Sequence, residues 1–217
     1  MPTWDELFKD EKNRWKEPHE RLVEVIGSLK SKTNQKKVLD LGCGAGRHLV
    51  YLSSEGYETY GVDLSINGLM FSREWLAKQG YPTRLAMADM TSLPYSNSSF
   101  DMIISMYVIH HNPLAGLRKS IHEIHRMLVP GGYALLTLNS TRGFRHDQGQ
   151  QLEPRTVIPH IGKDCGIPHH FSDLQEIARE FDHFIVREIH LEEATNEEGY
   201  LSSHWVILVE KPKEDQE

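Results

Sequence analysis

The sequence has few of the features that mark secreted, membrane or nucleic-acid-binding proteins. Only two of its 217 residues are cysteine, too few for the disulfide framework typical of small secreted domains. Its longest apolar run, residues 102–109, is far shorter than the ~20 residues that a membrane-spanning helix needs. Acidic residues outnumber basic ones by 31 to 24, so we do not expect nucleic acid to bind through bulk positive charge.

The amino-terminal residues 1–6 also lack the continuous apolar stretch of a secretory signal. Together with the low cysteine content, this predicts a cytoplasmic protein with no membrane partner. A content of 39% hydrophobic and 25% charged residues is typical of a folded globular chain. We interpret residues 1–217 as a single domain with a sizeable core, and the sequence does not indicate its oligomeric state.

Apolar segments alternate with amphipathic ones through the first two thirds of the chain. This alternation predicts a doubly wound α/β fold with a mostly parallel sheet. Two later strands are separated by only a short acidic stretch, so they should be antiparallel to each other. The predicted strands are 38–41, 58–63, 83–87, 100–108, 133–138, 184–191 and 204–210.

The amino-terminal segment carries three large aromatic residues among many charges. Trp4, Phe8 and Trp15 lie within residues 3–16, and their spacing predicts one amphipathic helix. With a second amphipathic helix behind it, we interpret residues 1–30 as a helical cap over the domain.

A second cover is predicted late in the chain. Residues 140–171 are rich in glycine, proline and histidine and show little periodicity, which is typical of a functional loop. We interpret this segment as a lid over the substrate. Ser172 and Gln175 predict the capping box of the helix that follows.

A glycine-rich loop at residues 40–46, Asp-Leu-Gly-Cys-Gly-Ala-Gly, lies between a predicted strand and a helix. Glycines allow a tight turn and a close approach of a ligand to the backbone. A dinucleotide site would have its third glycine where Arg47 stands, and the Gly-Lys-Ser/Thr ending of a phosphate-binding loop is missing. The loop therefore favours a ligand with hydroxyl and amino groups. Asp63 ends the second strand, where a carboxylate can bind both ribose hydroxyls of a nucleoside. Taken singly, each feature also fits a plain turn or a strand-end acid.

Five segments in this order resemble the class I S-adenosylmethionine-dependent methyltransferases, within them the small type 11-like family. The resemblance covers residues 35–210. The segments are residues 38–46, 61–65, 88–90, 100–104 and 128–132.

The resemblance implies S-adenosylmethionine as cofactor and a Rossmann-like seven-stranded sheet whose last strand is antiparallel. It implies that Asp40 and the loop glycines hold the methionine part of the cofactor, that Asp63 binds the ribose and that Leu64 packs on the adenine. Asp89 and Met90 would lie at the adenine edge. The full set of predicted cofactor-binding residues is Asp40, Gly42, Cys43, Gly44, Gly46, Asp63, Leu64, Asp89, Met90 and Met106.

The methyl acceptor should bind after the fourth strand, because ligands of open α/β sheets bind at the carboxyl ends of the strands. His110, His111 and Tyr107 are the predicted catalytic residues there. A base is needed only if the acceptor loses a proton, and a histidine titrates near neutral pH. The alternative is structural: a helix cap and a packed ring for the histidines, and a core position for Tyr107.

The chain has 13 histidines, several of them in pairs. His122 and His125 are spaced for one face of a helix, and imidazole pairs at such spacing bind metals in known sites. No carboxylate–histidine motif of the zinc-protease kind accompanies them, so we predict no metal. His169 and His170 end the long loop and are predicted to line the acceptor pocket.

The short chain leaves no room for a separate recognition domain, which favours a small-molecule acceptor over nucleic acid. Two alternatives stay open. One is a methyltransferase of tRNA or another macromolecule, because residues 108–111 are similar to a segment of the wobble-uridine methyltransferases of tRNA. The other is a cofactor-binding protein that does not turn over. The sequence does not identify the acceptor atom.

Overall fold

The computed structural model describes residues 3–29, 37–160, 162, 164–195 and 199–213. In these ranges the chain forms six α-helices and ten strands, with two single 3₁₀ turns at Glu11–Asn13 and Phe144–Asp147. The helices are α1 (Trp4–Leu7), α2 (Glu20–Leu29), α3 (Arg47–Ser54), α4 (Ile66–Lys78), α5 (Leu114–Met127) and α6 (Leu174–Glu180). The strands are β1 (Lys37–Leu41), β2 (Glu58–Asp63), β3 (Leu85–Met87), β4 (Phe100–Ser105), β5 (Leu128–Ser140), β6 (Gln150–Glu153), β7 (Thr156–Ile158), β8 (His169–Ser172), β9 (Ile185–Thr195) and β10 (Leu201–Glu210).

The main sheet has the strand order β3–β2–β1–β4–β5–β10–β9. The first five of these strands are parallel to one another. β10, the last strand of the chain, is antiparallel to both of its neighbours, β5 and β9. The predicted mostly parallel α/β sheet with an antiparallel last strand is confirmed.

Both faces of the sheet are covered, which explains the continuous apolar character of β4. Met102, Ile103 and Ile104 are fully buried. Ile103 packs into the cluster that α5 and α6 help to form, whereas Met102 and Ile104 pack on the opposite face with α2. A parallel strand that is buried on both faces carries apolar residues on both, so its sequence does not alternate between apolar and polar residues.

The single helix predicted over residues 3–16 is wrong. α1 lasts one turn, and Thr3 caps it by accepting a hydrogen bond from the backbone N–H of Glu6. Asp10 then accepts from the N–H of Lys12 and starts the first 3₁₀ turn. Side chains that bind nearby backbone groups in this way compete with a continuous helix.

The segment 140–171 is not the structureless loop that its composition predicted. It contains β6 and β7 and reaches into β8, and these three strands pair antiparallel. Asn139 on β5 pairs with β10 on one side and with Phe171 of β8 on the other. β8 therefore pairs with the carboxyl-terminal end of β5, on the same side of β5 as β4.

Two smaller expectations also need correction. The cap of α6 is Asp173, which accepts a hydrogen bond from the N–H of Glu176 at 2.8 Å, and not the predicted Ser172. The fourth strand ends at Ser105, before the predicted residue 108, because Tyr107 turns the chain with a φ of +63°. Among the described residues, no helix combines the length and the apolar character that crossing a membrane requires.

Candidate active site at the carboxyl ends of the strands

A cavity of about 980 Å³ lies where the parallel strands end. Residues that follow β1, β2 and β4 line its floor, and the amino-terminal segment, β10 and the chain around β8 form its walls. The volume is at the upper end of the range usual for ligand pockets.

The glycine loop after β1 is shaped by left-handed backbone. Gly42, Gly44 and Gly46 have φ values of +77°, +50° and +92°. A Cβ on Gly44 would lie 2.6 Å from the ring of Phe8. The loop therefore needs glycine both for its conformation and because the amino-terminal segment packs directly on it.

Asp63 at the end of β2 joins this loop to the start of α4. One carboxylate oxygen accepts a hydrogen bond from the N–H of Gly44 at 2.8 Å, and the other accepts from the N–H of Ser65 at 2.7 Å. Burial and the nearby charge of Asp40 raise the pKa of Asp63, while these backbone donors oppose the shift. Each oxygen keeps a second lone pair for a ligand.

Asp40 at the end of β1 is an unusual buried acid. Its side chain is 1% exposed, and neither carboxylate oxygen has a hydrogen-bond partner. Nδ1 of His48 lies 3.6 Å from Oδ2, and the Nε2 atom of His48 is also buried without a partner. Buried charges without partners are costly, so this pair is suited to a polar ligand that enters the cavity.

Beyond the glycine loop, histidines dominate the other half of the cavity. Burial and the charges of neighbouring histidines lower the pKa of His110 and His111 well below the usual value. Burial, His19 and Arg145 lower the pKa of His204 to about 4. These imidazoles are therefore neutral at pH 7. The histidines on this side are His19, His110, His111, His169 and His204.

His169, at the start of β8, contacts an acid as well as His111. Its ring centroid is 4.6 Å from that of His111, and its Nε2 atom is 2.9 Å from Oδ2 of Asp164. Asp164 also receives two hydrogen bonds from Arg145. Burial acts against ionisation of Asp164, but the hydrogen bond and charge of His169 and the charge of Arg145 lower its pKa to about 2.

Tyr107 stands between the cofactor loop and these histidines. Its hydroxyl lies 3.0 Å from Nε2 of His19, and its ring packs edge-on against His204. Burial and the charge of Glu192 raise its pKa to about 12, so the hydroxyl keeps its proton. The left-handed backbone of Tyr107 is a conformation that non-glycine residues adopt mainly where the surroundings enforce it.

The amino-terminal segment closes the cavity from outside. Trp4 packs on His111 with ring centroids 4.7 Å apart, and Trp15 packs on Tyr107 at 6.4 Å. Asp5 anchors the segment, because its Oδ1 atom accepts hydrogen bonds from the backbone N–H of Asn67 at 2.8 Å and from the Ser65 hydroxyl at 3.0 Å.

Comparison with known proteins agrees with this geometry. Residues 38–132 match a family model described as a methyltransferase domain. The fold aligns with an S-adenosylmethionine-dependent methyltransferase from Methanosarcina mazei at a TM-score of 0.74 and 19% identity, covering 91% of this chain and 100% of that one. In sequence and in fold, the chain is similar to the class I S-adenosylmethionine-dependent methyltransferases. That similarity implies S-adenosylmethionine as the cofactor.

Curated methyltransferases act on different acceptors. The chain is 27% identical to the sterol 4-C-methyltransferase of Caenorhabditis elegans over 186 residues, which are 80% of this chain and 54% of that protein. It is 33% identical to a tRNA U34 carboxymethyltransferase of Hydrogenovibrio crunogenus over 159 residues, 69% of this chain and 44% of that protein. The chain spans about half the length of the first curated relatives that it matches.

The structure brings most of the predicted cofactor-binding residues together. Leu64, which is 46% exposed, Met90 and the buried Met106 line the cavity, together with Asp63, Cys43 and the loop glycines Gly42 and Gly44. Asp40 lies behind this lining, 3.6 Å from His48, which does reach the cavity. Gly46 packs behind the loop, where a Cβ would lie 2.7 Å from the hydroxyl of Ser72. Asp89 bonds instead to the N–H and hydroxyl of Thr91, at 2.8 and 2.6 Å.

The predicted acceptor residues are only partly brought together. His110, His111 and Tyr107 line the cavity, and so does His169. His170 does not join them, because its ring nitrogens lie 2.7 Å from Oγ1 of Thr156 and 2.5 Å from Oε1 of Glu176.

Sequence reasoning missed several side chains of the site, among them His48, Asp164 and His204. His48 lies two residues after the glycine loop, so its position near the site could have been predicted from the sequence. Asp164 precedes β8 and His204 lies on β10, and the pairing of these strands brings both side chains to the cavity. No local sequence pattern predicts such contacts between distant segments.

Proposed function

We propose that this protein transfers a methyl group from S-adenosylmethionine to a small-molecule acceptor. The observation that carries the proposal is Asp40, a buried carboxylate without a hydrogen-bond partner at the rim of the glycine loop. The cofactor has an ammonium group at its methionine end, and an ammonium is the partner that would offset the cost of burying this charge.

The other end of the cofactor fits the residues around β2. Asp63 would accept the ribose hydroxyls while it keeps its bonds to Gly44 and Ser65. Leu64 would cover one face of the adenine, and Met90 would lie at its edge. These assignments place one cofactor across the floor of the cavity.

When bound, the cofactor supplies a sulfonium methyl group that a nucleophile displaces in line. The protein then has to align the acceptor and exclude water, a contribution that can reach about 7–11 kcal/mol. We assign water exclusion to residues 1–30 as a cap and to residues 140–171 as the second cover. Trp4 and Trp15 already contact His111 and Tyr107 across the mouth.

A small acceptor is supported by how the cavity is closed. The space left by the cofactor lies beneath the rings of Trp4 and Trp15, beside His110 and His111. The net charge of −7 works against a polyanion. The relative from Caenorhabditis elegans is named for a sterol acceptor. A cytoplasmic location remains part of the proposal.

The cofactor half of the proposal is tested by calorimetry with S-adenosylhomocysteine, the demethylated cofactor. Wild type should bind it, and Asp40→Asn should bind it about 10- to 100-fold more weakly, because a charge-assisted bond is lost. The variant without ligand should be at least as heat-stable as wild type, since a buried charge is removed. Unaltered binding by Asp40→Asn would contradict the assignment.

The acceptor half is tested by transfer of a labelled methyl group to metabolite and RNA fractions. Label in the metabolite fraction supports a small acceptor. Label in tRNA would favour methylation of a nucleic-acid acceptor, the class of acceptor named for the Hydrogenovibrio crunogenus relative. Cofactor binding with no labelled product in either fraction would favour a protein that binds the cofactor without turnover.

A further inference from the structure

Three side chains from separate parts of the sequence converge in the cavity away from the glycine loop. His111 follows β4, Asp164 precedes β8, and His169 begins β8. One ligand atom from each lies within 4.8 Å of the others. Among the described residues, this is the one group of three or more His, Cys, Asp or Glu side chains with such proximity.

Both ring nitrogens of His169 face oxygen atoms that accept hydrogen bonds. Its Nδ1 atom lies 2.8 Å from the carbonyl oxygen of Ile167, and its Nε2 atom lies 2.9 Å from the carboxylate of Asp164. Both of these oxygens only accept hydrogen bonds, whereas a neutral imidazole has a single N–H to donate. With Nδ1–H donated to Ile167, either a second proton or a metal ion must lie between Nε2 and Asp164.

The surroundings match those of a metal-binding histidine and carboxylate. A ligating histidine usually donates its other ring N–H to a carbonyl or carboxylate, which fixes the tautomer, and His169 does so toward Ile167. Ligating carboxylates are themselves hydrogen-bonded, and Arg145 donates to both oxygens of Asp164, at 2.8 and 2.9 Å. Two ligands of one tetrahedral zinc ion are about 3.3 Å apart, so His169 and Asp164, now 2.9 Å apart, would need to separate only slightly to bind one.

We propose that His111, Asp164 and His169 bind one divalent transition-metal ion, with Zn²⁺ as the representative ion. Two imidazoles and one carboxylate are a donor set that suits Zn²⁺ and its neighbours better than Mg²⁺ or Ca²⁺. All three residues line the cavity, so the position left open by three protein ligands faces the acceptor space. A thiol or hydroxyl acceptor fits that position, and the ion would favour its deprotonated form.

This proposal replaces the metal-free site expected from the sequence, and it does not use the pairs first considered. His125 packs against the rings of His183 and Phe184, at 4.8 and 5.0 Å. His170 is held by Thr156 and Glu176. Ion binding needs no cofactor, so it goes beyond the proposed function and can fail separately from it.

The test is titration of Zn²⁺ into the full chain after chelator treatment, followed by calorimetry and by metal analysis after dialysis. Wild type should retain one ion per chain. His111→Gln, Asp164→Asn and His169→Gln should each weaken binding by more than about 100-fold, and Arg145→Gln by about 10- to 100-fold. The controls His183→Gln and His122→Gln should bind like wild type. Far-UV circular dichroism and thermal unfolding, measured on the same samples, check that each variant is folded.

A second measurement does not depend on variants. Co²⁺ bound to wild type should show visible d–d absorption and paramagnetically shifted histidine signals, both displaced by Zn²⁺. The proposal is overturned if wild type retains no Zn²⁺, or if the three ligand variants retain it as wild type does. It is also overturned if nitrogen NMR finds both ring nitrogens of His169 protonated in the presence of Zn²⁺, because the pair with Asp164 is then a plain ion pair.

Discussion

The carboxylate of Asp63 accepts a hydrogen bond from the backbone N–H of Gly44, 2.8 Å away. This bond ties the end of β2 to the glycine loop, so one side chain shapes both segments that the cofactor would touch. Asp63→Ala should weaken binding of S-adenosylhomocysteine by about 10- to 100-fold, since hydrogen bonds to a charged group contribute about 1.5–3 kcal/mol. Isothermal calorimetry measures the change.

The matched control for this prediction is Asp182→Ala. Asp182 is an exposed acid in the turn before β9, and its side chain contacts only the neighbouring His183 among the described hydrogen bonds. Its replacement should leave the affinity unaltered. If Asp63→Ala binds as tightly as the control, Asp63 does not hold the ribose.

Asp5 anchors the amino-terminal segment to α4, and its loss should loosen that segment. Asp5→Ala removes the acceptor for the N–H and side chain of Asn67 and for the hydroxyl of Ser65. We expect faster release of S-adenosylhomocysteine in stopped-flow experiments and faster hydrogen exchange in residues 3–16, with the global unfolding midpoint little altered. Asp10→Ala is the control, because Asp10 bonds only within its own turn. Release as slow as in wild type would mean that the segment does not gate the cofactor.

His110 and His111 should behave differently although they are adjacent. His110 is 2% exposed and its ring faces the carbonyl of Thr137 at 3.3 Å, so His110→Asn should lower stability by roughly 1–3 kcal/mol. His111→Gln should instead reduce kcat by about 10²–10⁴ with cofactor affinity kept. That result is expected whether His111 acts as a base or as a metal ligand, and the zinc titration separates the two roles. Equal rates for His111→Gln and wild type would exclude both.

His125 on α5 should make the fold sensitive to acid. Burial, with the charges of Lys211 and His183, lowers its pKa to about 4 from 6.5. Between pH 6.5 and about pH 4, the unfolded chain therefore binds a proton at this histidine that the folded chain does not bind. The free energy of unfolding falls as the pH drops through this window. His125→Gln should lose less stability than wild type between about pH 7 and about pH 5. Urea unfolding at both pH values measures this.

The control here is Lys119→Gln, an exposed position on the same helix whose charge is not among those that shift the pKa of His125. It should show the same loss as wild type. Part of the acid sensitivity should persist in His125→Gln, because burial also lowers the pKa of His19 and of His204 to about 4. Identical pH dependence in all three proteins would contradict the assignment to His125.

The sheet could be predicted from the sequence because its signals are local. β2 has the predicted bounds, Glu58–Asp63, and β4 begins at the predicted residue, Phe100. The glycine loop and Asp63 were found for the same reason: a tight turn and a strand-end acid are properties of short segments.

The rest depended on signals that compete or that act at long range. Thr3 and Glu6 form a capping box that is visible in the sequence, but the aromatic spacing suggested a longer helix. Asp173 and Ser172 are both good caps, and only the fold decides between them. The meeting of His111 with Asp164 and His169 depends on how β8 pairs with β5, which no single segment encodes.

The two ends of the described chain lie near opposite ends of the parallel strands. Phe8 rests on the glycine loop, whereas β10 runs away from the cavity and Lys211 bonds to Gly132 beside the start of β5. A purification tag or fusion partner ahead of residue 3 would be held over the entrance that ligands use. One attached on the carboxyl-terminal side would leave that entrance free, which makes it the better choice for immobilised binding assays and for crystallisation with ligands.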